Sequence, residues 1–142
     1  MNADRAVAEA RAWIGTPYRH QGSTKGAGTD CLGLLRGVWR ALYGAEPEVI
    51  PAYSGDWDEV SRTDVLRAAA ERHLVLREDR APLAGDVILF RMRRGAVAKH
   101  LGICAGPDRF VHAYSGHGVV ESALSLPWRR RIDGVFAFPV SD

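Results

Sequence analysis

The stretch Lys99-His100-Leu101-Gly102-Ile103-Cys104-Ala105-Gly106-Pro107-Asp108-Arg109-Phe110-Val111-His112-Ala113-Tyr114 reads as a β-hairpin. Two runs of β-forming residues flank Ala105-Gly106-Pro107-Asp108, where glycine, proline and aspartate supply turn conformations. With the turn centred near Gly106, His100 and His112 face each other directly. Opposed residues of an antiparallel pair share one face, with Cβ atoms roughly 4.5 to 5.5 Å apart, so one imidazole reaches the other. A slip of one residue would send the rings to opposite faces.

Outward from the hairpin, the same short period continues. Strands are expected at Asp86–Met92, His100–Ala105, Arg109–Tyr114, Gly118–Ala123 and Asp133–Phe138, with no helix between them, which makes the sheet antiparallel. Upstream of Pro82 the period is helical. Asn2 is expected to cap a helix running to Ile14, with Ala6, Ala10 and Trp13 on one face and Gly15 as its stop. A second helix is expected over Cys31–Tyr43, where Leu34, Leu35, Val38, Trp39 and Leu42 form one stripe before Gly44, and a third over Trp57–Leu74. A glycine-rich loop, Thr16–Asp30, joins the first two. Helices followed by strands define an α+β domain, expected to be a single one over residues 1–142 with N-terminal helices packed on a C-terminal antiparallel sheet.

At 142 residues, 46% hydrophobic and 25% charged, the composition is that of a globular chain able to build a core without metal or disulfide staples. Nineteen basic against seventeen acidic side chains leave +2, too weak a balance for a nucleic-acid partner. The arginines at 91, 93 and 94 and at 129–131 read as solvated edges. No run approaches the roughly 18 apolar residues of a membrane span, and Met1–Arg11 is polar where a signal peptide is apolar, so synthesis as a cytoplasmic protein is expected. Cys31 and Cys104 lie in unlike contexts and suggest neither a disulfide nor a paired-cysteine zinc motif.

Cys31 is the candidate nucleophile. It follows the glycine-rich loop, neighbours Asp30 and opens a helix, where free backbone N–H groups and the helix dipole favour a thiolate. With one of His100 and His112 as base and the other as orienter, the parts of an acyl-transfer triad are present. His, His and Cys also form a permitted zinc set, but no close ligand pair supports it, and no metal or other cofactor is expected. Cys104, beside the turn, reads as an unreactive packing thiol; His73 is placed on a solvated helix face and His117 in a loop.

Five blocks carry a resemblance: Gly15-Thr16-Pro17-Tyr18, Thr29-Asp30-Cys31-Leu32-Gly33-Leu34, Pro82-Leu83-Ala84-Gly85-Asp86-Val87-Ile88-Leu89-Phe90, His100-Leu101-Gly102-Ile103 and Phe110-Val111-His112-Ala113. In that order, from about Ala8 to Phe138, the chain resembles the NlpC family of papain-like cell-wall cysteine peptidases. The resemblance implies a papain-like fold, Cys31 as nucleophile, His100 as general base and His112 as the third, orienting residue. It also implies a substrate or oxyanion contact at Tyr18 and a share in substrate binding for Asp30; His20, which does not match the family pattern, reads either as a cleft-lining residue or as a plain loop histidine. The backbone N–H of Cys31 would add an oxyanion donor, a contact worth on the order of 3 kcal/mol in comparable enzymes. Leu32, where many members carry serine, and Arg19-His20-Gln21, where an aromatic then glycine is usual, depart from the pattern on the substrate side.

The implied function is peptidoglycan endopeptidase, cutting a stem-peptide amide between γ-D-glutamyl and the diamino acid through a thioester. The chain further resembles the subgroup encoded with phage tails and gene transfer agents, which implies tail-tip proteins as partners and action in the periplasm or cell wall after delivery in a particle. Two other readings stand beside it. One is a structural tail-tip adaptor with a vestigial site, binding through its arginine clusters and through Trp57 and Trp128. The other is a transferase or an amidase acting at a different bond.

Overall fold

The computed structural model describes residues 2–47, 65–78, 81–91 and 99–140. Helix α1 spans Asn2–Ala12 and α2 spans Cys31–Tyr43, joined by a loop that folds back on itself through the two-residue strands β1, Ser23–Thr24, and β2, Gly28–Thr29. Helix α3 covers Val65–His73, followed by β3 at Val75–Leu76. The remaining strands are β4 (Val87–Phe90), β5 (His100–Gly106), β6 (Arg109–Tyr114), β7 (Gly118–Ala123) and β8 (Ile132–Ala137), with the short helix α4, Leu126–Arg129, ahead of the last. Among the described residues the main sheet has the order β3-β8-β4-β5-β6-β7, and every neighbouring pair is antiparallel.

Alternation along each strand divides the core into two layers. Val87, Leu89, Leu101, Ile103, Val111 and Ala113 point to the helices and bury Ala6, Ala10 and Trp13 of the α1 region and Leu34 and Val38 of α2. Ile88, Phe90, Cys104 and Phe110 point to the other face and are covered by Leu124, Trp128 and Ile132. The expected α+β architecture is the observed one.

Several local expectations need correction. Asn2 lies inside α1 rather than capping it, and its side-chain amide donates to Pro139 O at 2.9 Å and Tyr43 Oη at 3.3 Å, tying the helix to the far end of the chain. The third helix is described only from Val65; its expected first turns, Trp57 included, lie outside the described residues, as does Met92 at the end of the first expected strand.

The hairpin register also differs from expectation. Ile103 pairs with Val111 and Cys104 with Phe110, and a bulge at Ala105 then brings Gly106 opposite Arg109. The turn therefore has its tip at Pro107-Asp108, not at Gly106, and the ladder is displaced by two residues. Its continuation sets Gly102, not His100, opposite His112. Because side chains alternate with period two, an even displacement keeps both histidines on one face, as diagonal neighbours.

Candidate active site

The loop before α2 is built to hold the start of that helix. Asp30 is its N-cap: the backbone is extended, and Oδ1 accepts from Gly33 N–H at 2.8 Å, satisfying one of the unpaired donors of the first turn. Oδ2 accepts from Gln21 N–H at 2.7 Å, which holds Gln21 in the left-handed region at φ 65°. The loop then presses on the helix so closely that a Cβ at Gly33 would lie 1.8 Å from Gly22 O and 2.5 Å from Thr29 Oγ1. Only glycine allows that approach.

Cys31 is thereby fixed as the first helical residue, half-buried, with its sulfur against the main chain of β5. A long contact of 4.0 Å runs to Lys99 O, and the amide of Leu101 also points at the sulfur, so it meets the backbone on both sides of His100. Burial pushes the thiol up to about 12 and the Asp30 carboxylate acts in the same direction, while the amides of Leu101, Leu32 and Cys31 itself pull it down. The helix terminus alone argued for a thiolate. Burial outweighs it, and at rest the group is a thiol.

His100, at the start of β5, and His112, on β6, are buried at 7% and 1% exposure. His100 Nε2 lies 2.8 Å from His112 Nδ1. That separation is a direct hydrogen bond, which occupies His100 Nε2 and leaves Nδ1 as the second ring nitrogen. Burial drives the His100 pKa down to about 3, with His112 contributing, and drives that of His112 down to about 4, with His117 contributing. Both rings are therefore neutral near pH 7.

An aromatic cage surrounds the pair. Phe110 lies 4.2 Å from the His112 ring centre, Tyr114 stacks on His112 at 5.3 Å, and Trp128 covers His112 at 5.3 Å and His100 at 5.7 Å. Trp128 is thus a lid on the imidazoles and not the exposed docking aromatic of the adaptor reading. Three arginines of that reading are engaged: Arg91 with Asp133, Arg129 with Asp108 and Pro107 O, and Arg131 over the Trp128 ring. Arg93 and Arg94 lie outside the described residues.

The remaining expected site residues lie on the loop side. Tyr18 is 38% exposed and is held by hydrogen bonds of its neighbours to Thr29, Arg19 N to Thr29 O at 2.9 Å and Thr29 N to Pro17 O at 3.0 Å. Burial of the phenol, then Cys31 and Asp30, raise its pKa to about 12, so it keeps its proton as a donor. A groove of about 360 Å³ beside it is lined by Gly15–Tyr18 and Gly116–Gly118. His20 is exposed, with Nδ1 3.9 Å from Asp30 Oδ2 and Nε2 3.3 Å from the Gln21 amide. Both oxygens of Asp30 serve backbone amides, so its first role is structural.

Outside this cluster, Cys104 is fully buried with Sγ 2.9 Å from Gly106 O, a packing thiol. His117 stacks on Tyr114, with ring centres 5.2 Å apart. His73 does not face only solvent: its ring stands 6.4 Å from that of Trp39, beside a mostly apolar cavity between α2 and α3. Among the described residues no group of three or more His, Cys, Asp or Glu is arranged to hold a metal ion, and no helix is long and apolar enough to cross a membrane.

The missed member of the site is Ser122. Its Oγ lies 2.8 Å from His112 Nε2. A serine in an alternating strand carries no signal by itself; parity with His112 across the next strand pair was the available clue.

A helix-borne cysteine and two bonded histidines on a helix-backed antiparallel sheet define the architecture of a papain-like thiol enzyme. Comparison with known proteins agrees. Residues 15–136 match the model of the NlpC/P60 family, and the chain belongs to that family. It is 32% identical over 120 residues to the murein DD-endopeptidase MepS/murein LD-carboxypeptidase of Escherichia coli K12, covering 84% of this chain and 54% of that protein. It is 31% identical over 136 residues to the gamma-DL-glutamyl hydrolase of Bacillus subtilis 168, covering 93% of this chain and 28% of that one. This chain thus spans about half the length of the first of these relatives and less of the second. Among solved structures, the NlpC/p60 domain of the peptidoglycan hydrolase SagA superposes with a TM-score of 0.68 at 23% identity, covering 97% of this chain and all of that one.

Proposed function

We propose that the protein is a cysteine endopeptidase of peptidoglycan stem peptides, with Cys31 as nucleophile, His100 as general base and His112 as its orienting partner. The observations that carry this reading are the 2.8 Å bond between His100 Nε2 and His112 Nδ1 and the position of the helix-terminal Cys31 sulfur 4.0 Å from Lys99 O, in the residue before His100. The name of the murein endopeptidase relative supports the substrate class.

In this reading the resting site is neutral, thiol beside imidazole. As the carbonyl carbon of the scissile amide approaches, the Cys31 proton passes to His100 Nδ1 and the sulfur bonds to that carbon. The developing oxyanion is met by backbone N–H groups at the α2 terminus, with the Tyr18 hydroxyl as a further donor. Collapse breaks the C–N bond, and the leaving amine takes the proton from His100. Water then gives a proton to His100 as its oxygen attacks the thioester. The acid departs, and the proton returns to sulfur. His112 steadies the imidazolium formed in each half.

The bond assigned is that between γ-D-glutamyl and the diamino acid, a reading supported by the relative named for γ-DL-glutamyl hydrolysis. Tyr18, Asp30 and His20 are assigned to the substrate side. Delivery to the cell wall in a phage-like tail tip is proposed on the subgroup resemblance. Digestion of purified sacculi, with mass assignment of the released muropeptides, tests the assignment. New termini at D-glutamate and the diamino acid are expected, and cleavage at another amide or none would contradict it.

A further inference from the structure

Three strands each bring one hydrogen-bonding side chain to the same face of the sheet. Ser122 on β7 pairs with Phe110 and His112 pairs with Val120, so Ser122 stands diagonally across from His112, as His112 stands from His100. Two 2.8 Å bonds join them in series, His100 Nε2 to His112 Nδ1 and His112 Nε2 to Ser122 Oγ.

A neutral imidazole carries one proton, so such a series runs in one of two directions. In the first, His100 donates from Nε2 to His112 Nδ1, His112 donates from Nε2 to Ser122 Oγ, and His100 Nδ1 is a bare acceptor. In the second, the Ser122 hydroxyl donates to His112 Nε2, His112 donates from Nδ1, and the proton of His100 sits on Nδ1. The second sets an N–H donor on the side left for the thiol, itself a donor, and removes the base. Ser122 is partly exposed whereas His112 is 1% exposed. Its hydroxyl hydrogen therefore has solvent as an acceptor, which leaves an oxygen lone pair for the buried ring.

We propose that Ser122 is a positioning residue whose oxygen accepts from His112 Nε2–H and so holds both imidazoles in the tautomers that keep His100 Nδ1 ready to take a proton. This rests on the peptidase reading for its consequence, though not for its geometry.

The test is ¹⁵N NMR of the histidine-labelled full chain at neutral pH, together with kinetics on muropeptides. In the wild type, His100 and His112 are both expected to be protonated at Nε2 and bare at Nδ1. Ser122→Ala is expected to give mixed tautomers and to lower kcat about five- to tenfold, the range for one lost hydrogen bond, with KM unchanged; Ser122→Thr restores both. A wild-type His100 protonated at Nδ1 would overturn the proposal, as would an alanine variant with wild-type tautomers. The wild-type spectrum needs no variant to fold. If the wild type cleaves no muropeptide, the peptidase reading falls while the nitrogen shifts still decide the role of Ser122.

Discussion

His100 and His112 bond through nitrogens 2.8 Å apart although they are diagonal rather than opposed on neighbouring strands. The residue facing His112 in the continued register is Gly102, and a Cβ there would stand 2.7 Å from the Phe110 ring, 3.0 Å from Val111 O and 3.2 Å from His112 Cβ. The missing side chain is what lets the rings meet across the diagonal. Gly102→Ala is therefore expected to destabilise the fold by about 1–3 kcal/mol through overpacking and to lower kcat/KM at least about tenfold by displacing His112. Urea unfolding and muropeptide kinetics check the two effects. Unchanged kinetics in a folded variant would speak against the diagonal contact.

The two histidines are not equivalent. In the proposed mechanism His100→Ala removes the proton acceptor itself, and a loss of about 10²- to 10⁴-fold in kcat is expected. In the same mechanism His112→Ala removes only orientation and the steadying of the imidazolium, so a smaller loss is expected. Steady-state kinetics at fixed pH rank them, and the opposite order would exchange their roles.

Acid should destabilise the protein in a definite window. Both imidazoles are held neutral by burial, at about 3 and about 4 in the folded state against about 6.5 in the unfolded chain. Between those limits the unfolded state binds more protons, so stability falls as pH drops below about 6.5, by up to about 1.4 kcal/mol per pH unit for each histidine. Above that range the contribution is complete. Urea unfolding between pH 7 and pH 4.5 measures the slope, and His112→Gln is expected to reduce it.

Asp30 is expected to matter for stability before substrate. Asp30→Ala leaves the Gly33 and Gln21 amides without their acceptor and should cost about 2 kcal/mol, whereas Asp30→Asn, which keeps an acceptor oxygen, costs less. Thermal or denaturant unfolding of the free protein distinguishes the pair.

Much of the site was legible because its logic is local or depends on parity. The α2 stripe from Leu34 to Leu42 and the shared face of His100 and His112 follow from periods of 3.6 and 2. The exact opposition of the histidines was not legible, since the bulge at Ala105 moves the turn tip and nothing in Ala105-Gly106 announces it. The protonated resting thiol depends on how deeply β5 covers the sulfur, a tertiary quantity that the helix terminus alone does not predict. Strand β3 and Ser122 escaped for opposite reasons: two residues carry no period, and one hydroxyl among alternating residues looks like surface.

Turnover of a muropeptide containing the γ-D-glutamyl–diamino acid bond by Cys31→Ala, compared with the wild type under identical conditions, is the most direct measurement. The sulfur is the only atom asked to form a bond with the substrate, and alanine at the first helical position leaves the Asp30 cap in place. A folded variant with unchanged circular dichroism and no product above background is predicted. Product released at the wild-type rate would contradict the assignment of Cys31 as the nucleophile.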